Sequence, residues 1–301
     1  MCHHFVSIFL ITTDEKLILK DRTMKKLILG LFLAFGLLGQ SAVADITSGL
    51  VLHLPFESSL NDLTTTHTAT MYAGTASYTD GYDGTAGGAF SFTGSNGIQV
   101  PTTISSTTGT ISFRIKSSIS GLTNITNGGN FTILLQANGD LQAYDPPIIY
   151  ANAPATIFNN QWHMITYTFD DTNLSMYLDG AYVSSVTNNS GGTFLFNNPT
   201  INIGHNSNYF LTGAMDDYRI YTRALSSADV TELYNYTPFS ITSTLDSGTG
   251  SLREAINSAT ANTPTLIDLT SIAGQTISLT GTIYVNSKII YIINTGSNKV
   301  N

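Results

Sequence analysis

From Asp45 onward the chain is a succession of short segments in which apolar and polar residues alternate with a period of two. This period is typical of strands that turn one face to a core and the other to solvent. The clearest pair is 163–169 and 174–178, and Asp179-Gly180 then favours a tight turn into a further strand. Many such strands with almost no helix predict an all-β sandwich or barrel.

One helix is expected, at 226–234. Ser226 can cap its first turn, and Asp229 follows three residues later, ahead of Val230 and Leu233. We expect a short terminal helix that closes the strand-rich domain.

Charge is scarce and concentrated at the amino terminus. Charged residues make up 11% of the chain, and the formal net charge is -8. Five of the twelve basic residues precede Asp45: Lys16, Lys20, Arg22, Lys25 and Lys26. The remainder is therefore more acidic still, which argues against nucleic acid and anionic membranes as partners. The single cysteine, Cys2, lies in the same leader, so the strand-rich part can form neither a disulfide nor a zinc-thiolate site.

Residues 24–44 have the pattern of a signal peptide. Lys25 and Lys26 precede a short apolar run, and Ala42-Val43-Ala44 supplies the small-residue cleavage pattern. The run is too short for a membrane span, so none is expected after cleavage. We interpret 1–23 as a misannotated upstream extension and predict a secreted or cell-surface protein.

Three segments resemble a known family. These are GLVLHLPFESSLNDL, NNQWHMITYTFDDTNLSMYLDGAYV and LTGAMDDYRIYTRALSSADVTELYN. Their order and spacing are similar to those of laminin G-like, concanavalin A-like lectin/glucanase domains of bacterial surface proteins. The resemblance covers 45–235 and implies a two-sheet antiparallel jelly-roll sandwich of about a dozen strands, with Trp162 packed between the sheets.

The texture changes after a predicted linker at 236–246. In 247–301, Ser251-Leu252-Arg253-Glu254-Ala255-Ile256 resembles the start of right-handed parallel β-helices of exported adhesin-like proteins, with Gly250 where that pattern often has a cysteine. The resemblance implies a truncated β-helix, because several stacked coils are needed for stability. The expected strands are Leu266–Leu269, Thr276–Leu279, Thr282–Val285 and Ile289–Ile293.

Catalysis by the sandwich is not expected. Retaining glucanases need two carboxylates close together, but 45–235 contains only Glu57 and Glu232, and Glu-x-Asp-x-Glu is absent from the chain. The serines lack a Gly-x-Ser-x-Gly elbow, and the histidines are too scattered for a triad or a zinc site. Any enzymatic activity would have to lie in a solenoid beyond this chain.

One structural calcium ion is a candidate cofactor, since hard oxygen ligands suit an acidic extracellular domain without cysteine. The resemblance places such an ion where the first strand meets the last, which indicates Glu57, Asp216 and Asp217. Neighbouring residues of a strand point to opposite faces, so one of the two aspartates is expected to face the ion. The alternative is that these carboxylates are solvated or cap turns.

Two loop tyrosines, Tyr82 and Tyr209, are the candidate ligand-binding residues, because binding residues concentrate in loops. The alternative for each is packing or plain surface exposure.

The leading hypothesis is a non-catalytic adhesion module that recognises carbohydrate, a glycoconjugate or a matrix-like surface ligand. The alternatives are an accessory binding domain of a polysaccharide-degrading β-helix enzyme and a structural spacer without ligand.

Overall fold

The computed structural model describes residues 46–293 except 103, 129–130, 138–139, 145–150, 154–156, 188–195, 198, 207, 238, 260–263, 273 and 286–288. The predicted upstream extension and signal peptide lie outside the described residues. The strands are β1 (Leu50–Leu54), β2 (Thr70–Ala73), β3 (Tyr78–Thr79), β4 (Ala89–Thr93), β5 (Gly97–Pro101), β6 (Ser105–Ser106), β7 (Gly109–Lys116), β8 (Thr123–Gly128), β9 (Phe131–Leu135), β10 (Leu141–Tyr144), β11 (Ala151–Ala153), β12 (Trp162–Phe169), β13 (Asn173–Leu178), β14 (Ala181–Thr187), β15 (Phe196–Asn197), β16 (Thr200–Ile203), β17 (His205–Asn206), β18 (Tyr209–Phe210), β19 (Thr212–Tyr221), β20 (Phe239–Ser240), β21 (Pro264–Asp268) and β22 (Ile289–Ile293). The helices are α1 (Ser227–Asn235) and α2 (Leu252–Ser258), and Thr270–Ile272 is a 3₁₀ turn.

Two antiparallel sheets form the sandwich, as the period-two pattern predicted. The eight-stranded sheet has the order β14-β13-β12-β7-β19-β4-β3, with β1 also paired to β19. The seven-stranded sheet has the order β11-β10-β9-β8-β16-β5-β2. The predicted hairpin is the β12–β13 pair, in which Ile165 lies opposite Leu178 and Phe169 opposite Leu174. The all-β antiparallel fold is therefore confirmed.

The core between the sheets is built from alternate residues of each strand. On β7, Ile111, Phe113 and Ile115 belong to the main core, whereas the intervening Ser112 and Arg114 point to the other face. The seven-stranded sheet supplies Ile98, Val100, Ile125, Phe131, Ile133, Leu141, Ile201 and Ile203. Each strand thus has an inner face toward the main core and an outer face.

The expectation that Trp162 packs between the sheets is wrong. Trp162 is only partly buried and lies outside the core clusters. It shares the phase of Met164 on β12, which belongs to a second cluster, whereas Ile165 and Tyr167 enter the main core. The alternation of β12 therefore points Trp162 to the outer face of the eight-stranded sheet.

Helix α1 begins as its sequence predicted. The Ser226 hydroxyl accepts the Asp229 N–H at 3.2 Å, and the Asp229 carboxylate accepts the Ser226 N–H at 2.9 Å, which completes a capping box. Its apolar residues Val230 and Leu233 pack with Met164 in the second cluster. The helix therefore covers part of the outer face of the eight-stranded sheet.

The terminal segment contains parallel pairing. Strands β20, β21 and β22 form a parallel sheet, and β22 coincides with the strand expected at Ile289–Ile293. The Ser251 hydroxyl caps α2 by accepting the Glu254 N–H at 3.2 Å. Strand β20 falls within the predicted linker, which is thus partly paired with this segment.

The strands expected at Thr276–Leu279 and Thr282–Val285 are wrong. Both stretches are described and neither is in a strand. Leu279, Tyr284 and Val285 are exposed. Without a neighbouring strand to satisfy the backbone and cover these side chains, apolar alternation alone does not make a strand.

Candidate functional site

The outer face of the seven-stranded sheet carries a set of side-chain amides, which we call the amide face: Gln99, Asn124, Asn127, Gln142 and Asn202. Asn202 on β16 lies opposite both Gln99 on β5 and Asn127 on β8. Its amide nitrogen donates to Asn127 Oδ1 at 2.8 Å, and Asn127 donates in turn to Asn124 Oδ1 at 3.0 Å. These bonds fix the orientations of the three asparagine amides at the centre of the face.

The same register extends the polar row in both directions. Thr70 on β2 lies opposite Gln99, and Thr132 on β9 lies opposite Asn127. Residues directly opposite each other have their Cβ atoms about 5 Å apart, so a five-strand row spans roughly 20 Å. None of the seven strands contains Asp, Glu, Lys or Arg. The face is therefore a polar but uncharged strip.

An aromatic stack adjoins the amide face. The ring centroids of Tyr72 and His205 are 4.0 Å apart, with an interplanar angle of 12°. The Phe210 ring also stacks with His205, with a centroid distance of 5.9 Å and an interplanar angle of 21°. Asn127 donates to the His205 carbonyl at 3.2 Å and so joins the stack to the amides. A Cβ at Gly97 would collide with the His205 ring, so glycine leaves the space in which the ring lies.

His205 is a neutral member of this aromatic stack. The ring is 2% exposed, and burial lowers its pKa, although the hydrogen bond to Ile98 raises it in part. Nε2 lies 3.1 Å from the Ile98 carbonyl, which accepts the ring proton, so Nδ1 is the acceptor. Within the described part of the chain, buried Nδ1 has no hydrogen-bond partner. Tyr72 is 47% exposed, so its ring is open to solvent beside this acceptor.

The two predicted ligand-binding tyrosines have different environments. Tyr209 is 44% exposed on β18, beside Phe210 of the aromatic stack. Tyr82 is partly buried, with Arg114 3.8 Å over its ring and its hydroxyl donating to the Tyr236 carbonyl at 3.2 Å. A ligand ring could stack on Tyr209 as it stands, whereas the Tyr82 ring is already covered by a guanidinium.

The predicted metal ligands lie where β1 leads into its loop and β19 crosses the sheet. Asp217 Oδ1 accepts from Arg219 Nε at 2.7 Å and lies 2.7 Å from His53 Nε2. Burial by itself raises the pKa of Asp217, but Arg219 and His53 outweigh it and hold that pKa well below its usual range. Asp217 is therefore neutralised by protein groups and does not fit a calcium site.

Asp216 has the opposite environment. Burial raises its pKa to about 8, and the nearby negative charges of Asp217, Glu57 and Asp83 contribute, while a hydrogen bond from the Tyr82 N–H at 3.0 Å opposes them. No cationic side chain pairs with Asp216 among the described residues, so its carboxyl group is mostly protonated at neutral pH, and a bound hard cation would favour its ionised form. Among the described residues no three His, Cys, Asp or Glu side chains are close enough to form a metal cluster. Backbone carbonyls and water would have to complete the coordination.

The backbone around this position is strained. Phe56, Ser58 and Asp217 all have positive φ angles, of 62°, 49° and 52°. Non-glycine residues adopt this conformation at a cost, and such residues cluster at functional sites. Phe56 and Ser58 flank Glu57, so the chain turns sharply at one of the predicted metal-ligating residues.

The sequence pattern did not identify the amide face. Its members are spread from Gln99 to Asn202, and only the strand register brings them together. A signal was present, since the polar positions of these strands carry amides and hydroxyls but no charge. None of the described helices is long and apolar enough to cross a membrane.

Residues 92–231, from β4 into α1, match the family model of the concanavalin A-like lectin/glucanases superfamily. A comparison with curated protein sequences gives no match.

Solved structures provide a second comparison. The chain is similar to domain 4 of AbnA, a GH43 extracellular arabinanase from Geobacillus stearothermophilus, whose structure was solved in complex with arabinotriose. The sequence identity is 25% and the TM-score is 0.51, and the alignment covers 62% of this chain and 98% of that chain. It is also similar to botulinum neurotoxin type C, whose cell entry depends on interaction with two ganglioside molecules, with 16% identity and a TM-score of 0.50. That alignment covers 64% of this chain but only 52% of the neurotoxin chain, and shows a shared fold. Family match and solved structures together support the concanavalin A-like lectin/glucanase fold that the three sequence segments predicted for the sandwich.

Proposed function

We propose that the protein is a non-catalytic module of the secreted or cell-surface type that binds a glycan through the amide face and the aromatic stack. One observation carries the proposal: hydrogen-bonded side-chain amides lie next to a stack that contains an exposed tyrosine, on one uncharged face of the sheet. Amides donate to and accept from sugar hydroxyls, and an aromatic face packs against the C–H face of a sugar ring. The similar arabinanase domain in complex with arabinotriose supports a carbohydrate ligand.

The charge of the face favours a neutral glycan. An acidic ligand would find no cation on the seven strands, and the chain as a whole has a net charge of -8. The row from Thr70 to Thr132 is long enough for several sugar units. We therefore expect an extended neutral oligosaccharide to lie across the strands.

Replacing Tyr72 by Ala tests this face. Loss of an aromatic platform is expected to weaken binding of a neutral oligosaccharide about tenfold, close to the upper end of what one ring contact contributes. Binding would be measured by calorimetry on the full chain, beginning with arabinotriose and extending to a panel of neutral oligosaccharides. Asn202→Ala should weaken the same interaction, because it removes the central amide of the row.

Tyr182→Ala is the matched control. Tyr182 is an exposed tyrosine on β14, an outer strand of the other sheet, with 57% of its surface accessible. The Tyr182→Ala variant should bind the oligosaccharide with the same affinity as the unmodified protein. Equal losses for Tyr72→Ala and Tyr182→Ala, or no affinity for any oligosaccharide in the panel, would leave the spacer hypothesis as the better description.

We further propose a structural calcium ion held by Asp216 and Glu57, with Asp217 excluded because it is paired with Arg219. Calcium at a hundredfold excess over its Kd would add about 2.7 kcal/mol of stability and raise Tm by roughly 5 to 10 °C. Thermal unfolding of the chelator-treated protein with and without calcium measures the effect.

Asp216→Asn should remove the calcium dependence and raise the Tm of the calcium-free protein at neutral pH, because a neutral amide avoids the cost of protonating a carboxyl whose pKa burial raises to about 8. Asp171→Asn, on an exposed hairpin turn, should keep the full calcium response. An equal calcium response in Asp216→Asn would disprove the assignment.

A further inference from the structure

A second row of side chains crosses the outer face of the eight-stranded sheet. Lys116 on β7 lies opposite Trp162 on β12 and opposite Ala214 on β19, and Ala214 lies opposite Ser91 on β4. Opposite residues in antiparallel strands project to the same face. Trp162, Lys116, Ala214 and Ser91 therefore form a continuous row, and the small Ala214 leaves a gap in its middle.

This row lies beside a covered one. Two residues away along β7, Arg114 is under the end of α1, where it donates to the Tyr234 carbonyl at 2.8 Å, and stacks on Tyr82. Lys116, Ala214 and Ser91 of the other row instead line a cleft of about 390 Å³, and Trp162 lies next to Lys116 at the end of that row. Its polar lining comes from Thr79, Asp80, Ser91, Lys116 and Asn160. The cleft is on the opposite sheet from the amide face.

The backbone at one wall of the cleft needs unusual conformations. Gly213 has a φ of 142°, and a Cβ there would collide with the Lys116 carbonyl, so only glycine permits this approach. Asn160 has a φ of 63° and donates its N–H to the Ser117 carbonyl at 2.9 Å. These two constrained residues therefore fix the backbone of the cleft next to Lys116.

Lys116 is set apart from the other cations. Among the described residues each of three arginines pairs with a carboxylate: Arg219 with Asp217, Arg223 with Asp229 and Arg253 with Asp246. Arg114 is engaged by helix-end carbonyls and Tyr82. Lys116 is the one lysine in the described ranges. It forms no ion pair with any described residue, including Asp80, which lines the same cleft.

We infer that this cleft binds a carboxylate-bearing sugar residue. The Lys116 ammonium would pair with the sugar carboxylate, and the neighbouring Trp162 indole would pack against the ring. Ser91, Thr79 and Asn160 supply hydroxyl and amide groups for the sugar hydroxyls. Asp80 can accept hydrogen bonds from sugar hydroxyls and disfavours more highly charged groups, so one carboxylate matches the single cation better than a phosphate monoester does.

Paired oligosaccharides test the inference. Trigalacturonate is compared with its neutral methyl ester, and sialyllactose with lactose, by calorimetry on the full chain. The unmodified protein should prefer at least one acid over its neutral partner by about tenfold, the contribution of one charge-assisted hydrogen bond. Lys116→Met, which keeps the aliphatic stem, should lose that preference while its affinity for the neutral partner stays the same. Lys116→Arg should retain it.

The amide-face variant separates this site from the proposed function. Tyr72→Ala should keep the full preference for the acid, because it changes the other sheet. An acid preference that survives Lys116→Met and disappears in Tyr72→Ala would overturn the cleft assignment while leaving a glycan-binding function intact. The absence of any acid preference in the unmodified protein would also overturn it. Unchanged circular dichroism and Tm of Lys116→Met would exclude misfolding as the cause of a loss.

Discussion

Replacing Asp217 by Asn is expected to lower the free energy of unfolding by about 3 kcal/mol, because it removes one member of a buried ion-paired group and leaves the others uncompensated. Asp217 is bonded at 2.7 Å to both Arg219 and His53, and all three residues are buried. Asn keeps the size of the side chain and tolerates the positive φ of 52°. The variant therefore isolates the loss of charge, which urea unfolding would measure.

The electrostatics of the group explain why the loss is large. Burial lowers the pKa of His53, and the Arg219 charge lowers it further, against the opposing effect of Asp217. The imidazole is therefore held neutral, and the Asp217 carboxylate is the counter-ion of Arg219. Burial also disfavours the Arg219 cation, but Asp217 outweighs it and raises the Arg219 pKa above its usual range. In Asp217→Asn a guanidinium stays buried without its counter-ion.

Asp179→Asn provides a matched control. Asp179 also has a positive φ, of 50°, and also bonds a histidine, His163, at 2.8 Å, but its side chain is 31% exposed and no arginine pairs with it in the described structure. Its replacement should cost less than about 1 kcal/mol. The double variant Asp217→Asn with Arg219→Met should be less destabilised than the sum of the two single variants. Additive losses, or equal costs at 179 and 217, would contradict the assignment of a buried charge pair.

The strands and the terminal helix could be predicted from the sequence because their signals are local. The β12–β13 hairpin follows from alternation and a polar turn, and the capping box of α1 from Ser226 and Asp229 three residues apart. The failures at Thr276–Leu279 and Thr282–Val285 have the same origin. A local pattern gives a propensity, and a strand also needs a partner strand.

The amide face, the Lys116 row and the pairing of His53 with Asp217 could not be predicted in the same way, because each is made by register. His53 and Asp217 are 164 residues apart in sequence, and only the β1–β19 pairing brings them together. The amide row and the Lys116 row each combine residues from four or more strands. A shift by one residue would move each of these side chains to the opposite face, so their grouping depends on pairings that composition and spacing do not specify.

Gly204→Ala is expected to lower the free energy of unfolding by roughly 2 to 4 kcal/mol, from backbone strain and overpacking together. Gly204 has a φ of 74°, and a Cβ there would collide with the ring of Phe92, which is 2% exposed in the core. Its N–H and carbonyl both have partners, since it donates to Ile125 at 2.8 Å and accepts from Leu211 at 2.7 Å. The backbone is therefore held on both sides and cannot move to relieve the contact. Gly204 also precedes His205, so the aromatic stack should be displaced and neutral-glycan affinity should fall with stability.

Gly121→Ala separates the two costs. Gly121 has a similar φ of 93°, but a Cβ there would meet nothing within 4 Å. It should lose only the backbone contribution, about 1 kcal/mol, and keep the affinity of the unmodified protein. Combining Gly204→Ala with Phe92→Leu should recover part of the loss, because the smaller side chain makes room for the new methyl group. If Gly204→Ala costs no more than Gly121→Ala, or if Phe92→Leu adds its full cost to that of Gly204→Ala, the contact with Phe92 is not what requires glycine at this position.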